Sequence, residues 1–244
     1  MKMQTVVCEN AALLHQRVAE DLKQYILQHP GALLCLAAGD TPLPVYAILT
    51  DMAKRGEVDL NSVYYVGLDE WVGLGAECRG TCLQVMQDAF YGPAGILPDH
   101  MAVWDGLCRD PYAEIQRITA FIRNHGGIGY TLLGIGMNGH VGFNEPGTGL
   151  QEGGILVDLD ETTVSVSVKY FDTAMPVRQG LTLGAGELKK AQMLCLMATS
   201  ERKAPIVKKV LKEAPAEKVP ASLLTDHPNS FFYLDASAAS QLER

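Results

Sequence analysis

Apolar residues recur along this chain in two rhythms, and their alternation predicts its elements. From Ala11 to Gln28, Leu13, Leu14, Val18, Leu22 and Ile26 fall at helical spacing. Ala32 to Ala38 is an unbroken apolar run, suited to a strand covered on both faces. Pro42 to Lys54 reads as a helix, with Pro42 fitted to its first turn. The alternation continues with a strand over Ser62 to Leu68 and a helix over Thr81 to Phe90. A helix over Pro111 to Asn124 stops at His125-Gly126-Gly127, and a third buried strand follows over Ile128 to Ile135. Gln192 to Ala198 predicts a fourth strand, Ser200 to Leu211 a helix, and Phe231 to Leu234 a short strand. The pattern predicts an α/β fold, a three-layer sandwich whose open, Rossmann-like, mostly parallel central sheet carries helices on both faces. No repeat or linker divides residues 1–244, which are expected to form a single domain. Gly147 to Thr163 has no clear period and is rich in Gly, Glu and Asp. A mobile lid and an ordinary surface loop are both open there.

Charge narrows the partners. A net charge of −8 leaves no electrostatic footprint for nucleic acid or an anionic membrane, so an anionic ligand needs a local cationic pocket. No apolar run reaches the roughly 18 residues of a spanning helix. Met1 to Asn10 lacks the basic stretch and apolar core of a secretory signal. The six cysteines are scattered and form no C-x-x-C pair, as expected for reduced thiols in the cytoplasm. Cys78 and Cys82 stand four apart without a neighbouring His, so no metal is expected there.

In parallel sheets ligands bind beyond the carboxyl ends of strands. Three polar segments follow predicted strands in that way. In Ala38-Gly39-Asp40-Thr41-Pro42, Gly39 frees the backbone for close approach, and helix-start amides with the Thr41 hydroxyl suit a phosphate. A plain turn with Thr41 as helix N-cap is the competing reading. Asp69-Glu70-Trp71 offers adjacent carboxylates, one of which, partly desolvated, suits proton shuttling between neighbouring carbons. A solvated loop edge is the alternative. Gly136-Met137-Asn138-Gly139-His140 is the sharpest signal, because Glu145 follows His140 by five residues. A carboxylate holds an imidazole in one tautomer and raises its basicity. Such a pair suits moving a proton to the ring oxygen of a sugar.

These segments resemble, in order and over nearly the whole chain, the glucosamine-6-phosphate deaminases and their galactosamine-6-phosphate relatives, a superfamily shared with 6-phosphogluconolactonases. The resemblance rests on Leu36-Ala37-Ala38-Gly39-Asp40-Thr41-Pro42, on Leu68-Asp69-Glu70-Trp71-Val72-Gly73-Leu74, and on the run from Gly134 to Gly147 with its Asn144-Glu145-Pro146 ending. It implies aldose-to-ketose isomerisation of an amino-sugar phosphate with loss of ammonia. His140, oriented by Glu145, would open the ring, and Asp69 would carry a proton from carbon two to carbon one. The Gly39, Asp40 and Thr41 amides would hold the phosphate with Lys203, which matches a lysine of the family's Ser-x-x-Lys-Ala segment. No metal and no redox cofactor are implied.

The chain departs from the family at several places. Asn138 stands where many deaminases carry Asp, so it serves at most as a hydrogen-bonding group. Lys169, in Val168-Lys169-Tyr170-Phe171-Asp172, replaces the arginine that is the second phosphate cation, which keeps the charge but loses the bidentate fork. The basic and serine residues of the allosteric site have no counterpart in Gly149 to Leu159. Activation by an acetylamino-sugar phosphate is therefore not expected, and self-association into a homo-oligomer is left open. Asp69-Glu70-Trp71 and Gly80-Thr81-Cys82 look more like the galactosamine-6-phosphate branch. Two other functions stay in view: a lactonase on the same fold, in which Glu145 has no role, and a non-catalytic sugar-phosphate-binding module, which has no need of Asp69, His140 and Glu145 together.

Overall fold

The computed structural model describes residues 3–171 and 175–242. The elements run β1 (Gln4–Cys8), α1 (Ala11–Gln28), β2 (Leu33–Leu36), α2 (Leu43–Lys54), β3 (Tyr64–Gly67), β4 (Asp69–Trp71), α3 (Cys82–Met86), α4 (Gly92–Ala94) and β5 (Met101–Ala102). Then follow α5 (Pro111–Asn124), β6 (Tyr130–Gly134), β7 (Gly154–Asp158), α6 (Glu161–Ser167), β8 (Gln179–Leu183), α7 (Ala185–Leu188), β9 (Met193–Ala198), α8 (Ala204–Lys212) and β10 (Ser230–Asp235).

Seven strands form the central sheet in the order β1-β10-β9-β6-β2-β3-β5, and every pairing is parallel. Side chains alternate across it, as the pleat requires. Leu33 and Cys35 of β2 face one core with Ile118, Ile122, Val207 and Val210, while Leu34 and Leu36 face the other with Leu14, Val18, Val45 and Leu49. Helices therefore cover both faces, which is why these strands read as unbroken apolar runs. Each such fully buried aliphatic side chain contributes about 1.5–3 kcal/mol.

From β2 the chain winds outward through β3 to β5, then returns to β6 on the other side of β2 and winds away through β9 and β10. The carboxyl ends of β2 and β6 thus flank a topological switch point, where the loops diverge and leave a crevice. The Gly39 and His140 loops both open there.

A second sheet was not visible in the apolar pattern. It is three-stranded, antiparallel, and ordered β4-β8-β7. Asp69-Glu70-Trp71, expected as a loop, is its edge strand β4, with Asp69 opposite Thr182. Gly147 to Thr163, expected as a loop or lid, instead contains β7 and the start of α6. Trp71, Phe143, Phe171 and Val177 form a small apolar cluster against this sheet. The helix expected over Thr81 to Phe90 begins at Cys82 and passes at Gln87 into a π-helical turn that extends to Tyr91. Among the described residues no helix is long and apolar enough to cross a membrane.

Candidate active site

A cavity of about 690 Å³ opens at the switch point and brings all three predicted segments together. The first is the loop after β2. Gly39, Asp40 and Thr41 line the cavity, and their amides have no partner among the described residues. Thr41 does not cap α2, whose N-cap position is Pro42 without any side-chain bond. Gly39 adopts no positive φ, and a Cβ there would meet no protein atom. What this glycine spares is room for a ligand, not backbone strain.

Three cations gather at this end. Lys203 follows Ser200, whose φ of 77° is unusual for a non-glycine residue and whose amide donates to both Asp235 carboxylate oxygens at 3.2 and 3.1 Å. The Lys203 ammonium donates to the Ile135 carbonyl at 2.6 Å, beside the end of β6. Burial, then repulsion from Lys169 and Arg202, lowers its pKa to about 8. An anion placed here would relieve that repulsion. Lys169 donates to Asp40 at 2.7 Å, so its charge is partly engaged by the loop itself. Arg202 lines the cavity with no partner among the described residues. It lies inside the Ser-x-x-Lys segment, where its charge alone was the available signal. Asp172, the end of the Lys169 motif, lies outside the described residues.

On the opposite wall, β4 presents Asp69 to the cavity and, by strand alternation, turns Glu70 away. Glu70 is 2% exposed and accepts from the Trp71 and Cys82 amides at 2.9 Å and from the Leu83 amide at 2.8 Å. It anchors the start of α3, where amide donors and the helix dipole favour a carboxylate. The anchored Cys82 then brings its thiol against Asp69. Burial, followed by the adjacent Glu70 charge, raises the Asp69 pKa to about 7, while the bond from Cys82 opposes that rise. Burial and the same carboxylates push the Cys82 thiol well above its usual range, so it stays protonated as a donor. The adjacent carboxylates expected as a pair thus divide into one facing the cavity and one fixing a helix.

The third segment carries His140, packed over Gly136, where a Cβ would collide with the imidazole. Asn138 accepts from the His140 amide and donates to Glu145 Oε2, each at 3.2 Å. It therefore orients the other two groups. Glu145 is buried behind His140, with Oε2 at 3.4 Å from Nδ1. Burial alone would raise its pKa, but bonds from His140, Thr163 and Asn138 hold it below the usual carboxylate value. Asn144 makes this rigid: it donates to the Val141 and Leu183 carbonyls at 2.8 Å and accepts from the Ala185 amide at 2.7 Å. Strand β8 thereby fixes both sides of the site, pairing with Asp69 on β4 and holding Asn144 beside Glu145. Thr163 of α6 also reaches His140, with Oγ1 at 3.1 Å from Nδ1. Sequence reasoning passed over it because α6 was not predicted.

The chemistry this arrangement offers is proton transfer beside an anion-binding end. Comparison with known proteins agrees with it. Residues 8–232 match the family model described as glucosamine-6-phosphate isomerases/6-phosphogluconolactonase. A glucosamine-6-phosphate deaminase of Thermoanaerobacter pseudethanolicus is 34% identical over 239 residues, 98% of this chain and 94% of that protein. One of Halothermothrix orenii is 35% identical over 241 residues, 98% of this chain and all (100%) of that protein. The solved structure of a monomeric glucosamine-6-phosphate deaminase aligns with a TM-score of 0.93 at 30% identity, covering 98% of this chain and 100% of that one. A 6-phosphogluconolactonase from Thermotoga maritima aligns at 0.77 with 16% identity, covering 96% and 99%, and shares the fold alone. On the residues matched, the fold and the shared sequence, this chain belongs to the family of glucosamine-6-phosphate isomerases and 6-phosphogluconolactonases.

Proposed function

We propose that this chain deaminates and isomerises an amino-sugar 6-phosphate to the ketose 6-phosphate and ammonia, with glucosamine-6-phosphate as its substrate. The observation that carries the reading is Asp69, a carboxylate of pKa about 7, in one cavity with the His140–Glu145 pair and the Lys203 ammonium. The phosphate rests on the free amides of Gly39, Asp40 and Thr41 with Lys203, and Lys169 lies at its edge. His140 takes the proton of the anomeric hydroxyl and returns it to the ring oxygen as the bond from carbon one to that oxygen breaks. Asp69 then removes the proton on carbon two and delivers it to carbon one. The product is an imine at carbon two, to which water adds and from which ammonia leaves. A base near pH 7 matches this shuttle, since it must both accept and release the proton. The remote phosphate supplies binding energy that orients the reacting carbons.

The relatives' shared name favours the gluco epimer. The resemblance to the galacto branch rests on Asp69-Glu70-Trp71 and Gly80-Thr81-Cys82, of which Trp71, Gly80 and Cys82 line the cavity, so the galacto epimer is the second substrate to test. The lactonase alternative leaves the Glu145 contact to His140 without a use. Action on a phosphorylated sugar, and six free thiols, support a cytoplasmic enzyme. Every group used comes from one chain, so the chemistry asks for no partner copy. Ammonia release is the test, measured with glucosamine-6-phosphate and galactosamine-6-phosphate beside hydrolysis of 6-phosphogluconolactone. Release from glucosamine-6-phosphate with the higher kcat/KM is expected. No ammonia from either amino sugar would sink the reading.

A further inference from the structure

The three cations at the anion-binding end of the cavity hold their charges on different terms. Lys169 shares its charge with Asp40, 2.7 Å away, on the loop whose free amides line the same space. Lys203 donates to the Ile135 carbonyl at 2.6 Å, and its proton is lost near pH 8. Arg202 has neither constraint. Its guanidinium has no ion-pair or hydrogen-bond partner among the described residues, and it stays protonated throughout.

The backbone explains why Arg202 reaches this end. Strand β9 stops at Ala198, and Ser200 takes its φ of 77° just beyond. That bend is fixed by β10: the buried Asp235 accepts from the Ser200 amide at 3.2 and 3.1 Å and from the Ala238 amide at 2.7 Å. The Lys203 amide donates to the Ser200 carbonyl at 3.0 Å, which closes a single 3₁₀ turn over Glu201–Lys203. Ala204, next in the chain, is fully buried, so the turn is held at both ends. Arg202 and Lys203 therefore line the cavity side by side, in company with Gly39, Asp40 and Thr41.

Charge balance gives this placement a use. A phosphate monoester carries between about 1.5 and 2 negative charges at pH 7. Lys169 and Asp40 largely cancel as a pair, and Lys203 alone leaves a dianion half matched. A guanidinium supplies the second positive charge, and its planar fork of N–H donors fits two phosphate oxygens at once, which an ammonium does not. We infer that Arg202 is a further phosphate-binding residue: its guanidinium engages the phosphate oxygens beside Lys203 and gives the dianion a partner whose charge is permanent. Asp40, Lys169 and Arg202 are the charged groups acting on Lys203, and the repulsion between the cations of the empty site is relieved when they meet one anion. The inference rests on the proposed function only for which molecule carries the phosphate; the anion site belongs to the free chain.

Binding of inorganic phosphate to the full chain, followed by calorimetry, tests this without turnover. Arg202→Gln should weaken that binding about tenfold or more at pH 7, and Arg202→Lys should recover only part of the loss. Lys212→Gln, which removes an equal charge from the far end of α8, should change it by less than about twofold. The ratio between native and Arg202→Gln chains should persist at about 0.5 M salt, where exposed charges act over only a few ångströms. With glucosamine-6-phosphate, Arg202→Gln should raise KM by a similar factor with kcat within about twofold. The climb of KM at alkaline pH should move to higher pH in that variant, because Lys203 loses a repelling neighbour. Equal phosphate affinity in native and Arg202→Gln chains overturns the proposal. So does a difference that salt abolishes or that Lys212→Gln reproduces, and so does a native chain that binds no phosphate in millimolar titrations. A native chain that binds phosphate through Arg202 yet releases no ammonia sinks the deaminase reading and leaves Arg202 in its role.

Discussion

The two walls of the cavity hold one working carboxylate each, and the two differ in what surrounds them. Asp69 faces the open space with a thiol as its neighbour and another carboxylate next to it in sequence. Burial wins, and its proton affinity rises to about pH 7. Glu145 is buried too, yet donors from His140, Thr163 and Asn138 hold its pKa below the usual carboxylate value. In the proposed reaction the same functional group serves as a proton carrier on one wall and a fixed negative charge on the other. Environment alone separates the roles, because desolvation disfavours a charge that donors would otherwise stabilise.

The largest expected effect comes from removing the carrier. Asp69→Asn should cut kcat by about 10²- to 10⁴-fold while phosphate competition is retained, since a carboxamide cannot take the proton. Wild-type-like turnover in that variant would break the comparison at its centre. Glu145→Gln should lower kcat less, about 10- to 100-fold, because it acts through His140. If it matches Asp69→Asn in severity, Glu145 itself exchanges protons.

Lys203→Ala should raise KM by about tenfold or more, at little cost to kcat, as one charged hydrogen bond is worth about 1.5–3 kcal/mol. Because Lys203 titrates at about 8, native KM should climb as pH rises through that value, and Lys203→Arg should flatten the climb. Asp69 sets the other limb: kcat/KM should fall as pH drops below about 7, where the base becomes protonated. The smallest effect is on stability. The folded chain binds the Asp69 proton more tightly than the unfolded chain, whose carboxyl titrates near 3.8, so ionisation destabilises the fold as pH rises from 3.8 through about 7. Asp69→Asn should therefore melt higher than the native chain above pH 7, with the gap closing on acidification, as calorimetry would show.

The central sheet was legible because its signals are local. Leu33–Leu36 and Tyr130–Gly134 are buried on both faces, so their apolar runs need no partner to be read, and glycines mark the loops that follow them. Gly136, His140 and Glu145 sit within ten positions of one another, close enough for spacing to suggest a pair. Order and identity of the three segments sufficed to place the chain in its family. The antiparallel sheet gave no such signal. Asp69 meets Thr182 across more than a hundred residues, and strands of three to five residues with mixed burial carry too few positions for a period. What tertiary structure alone decided follows from that pairing: which of Asp69 and Glu70 faces the cavity, how far burial raises one acid while donors lower the other, and that a threonine from α6 reaches His140. Residue identity supplies the acids, the imidazole and the cations. Their proton affinities belong to the distances and burial that only the folded chain imposes.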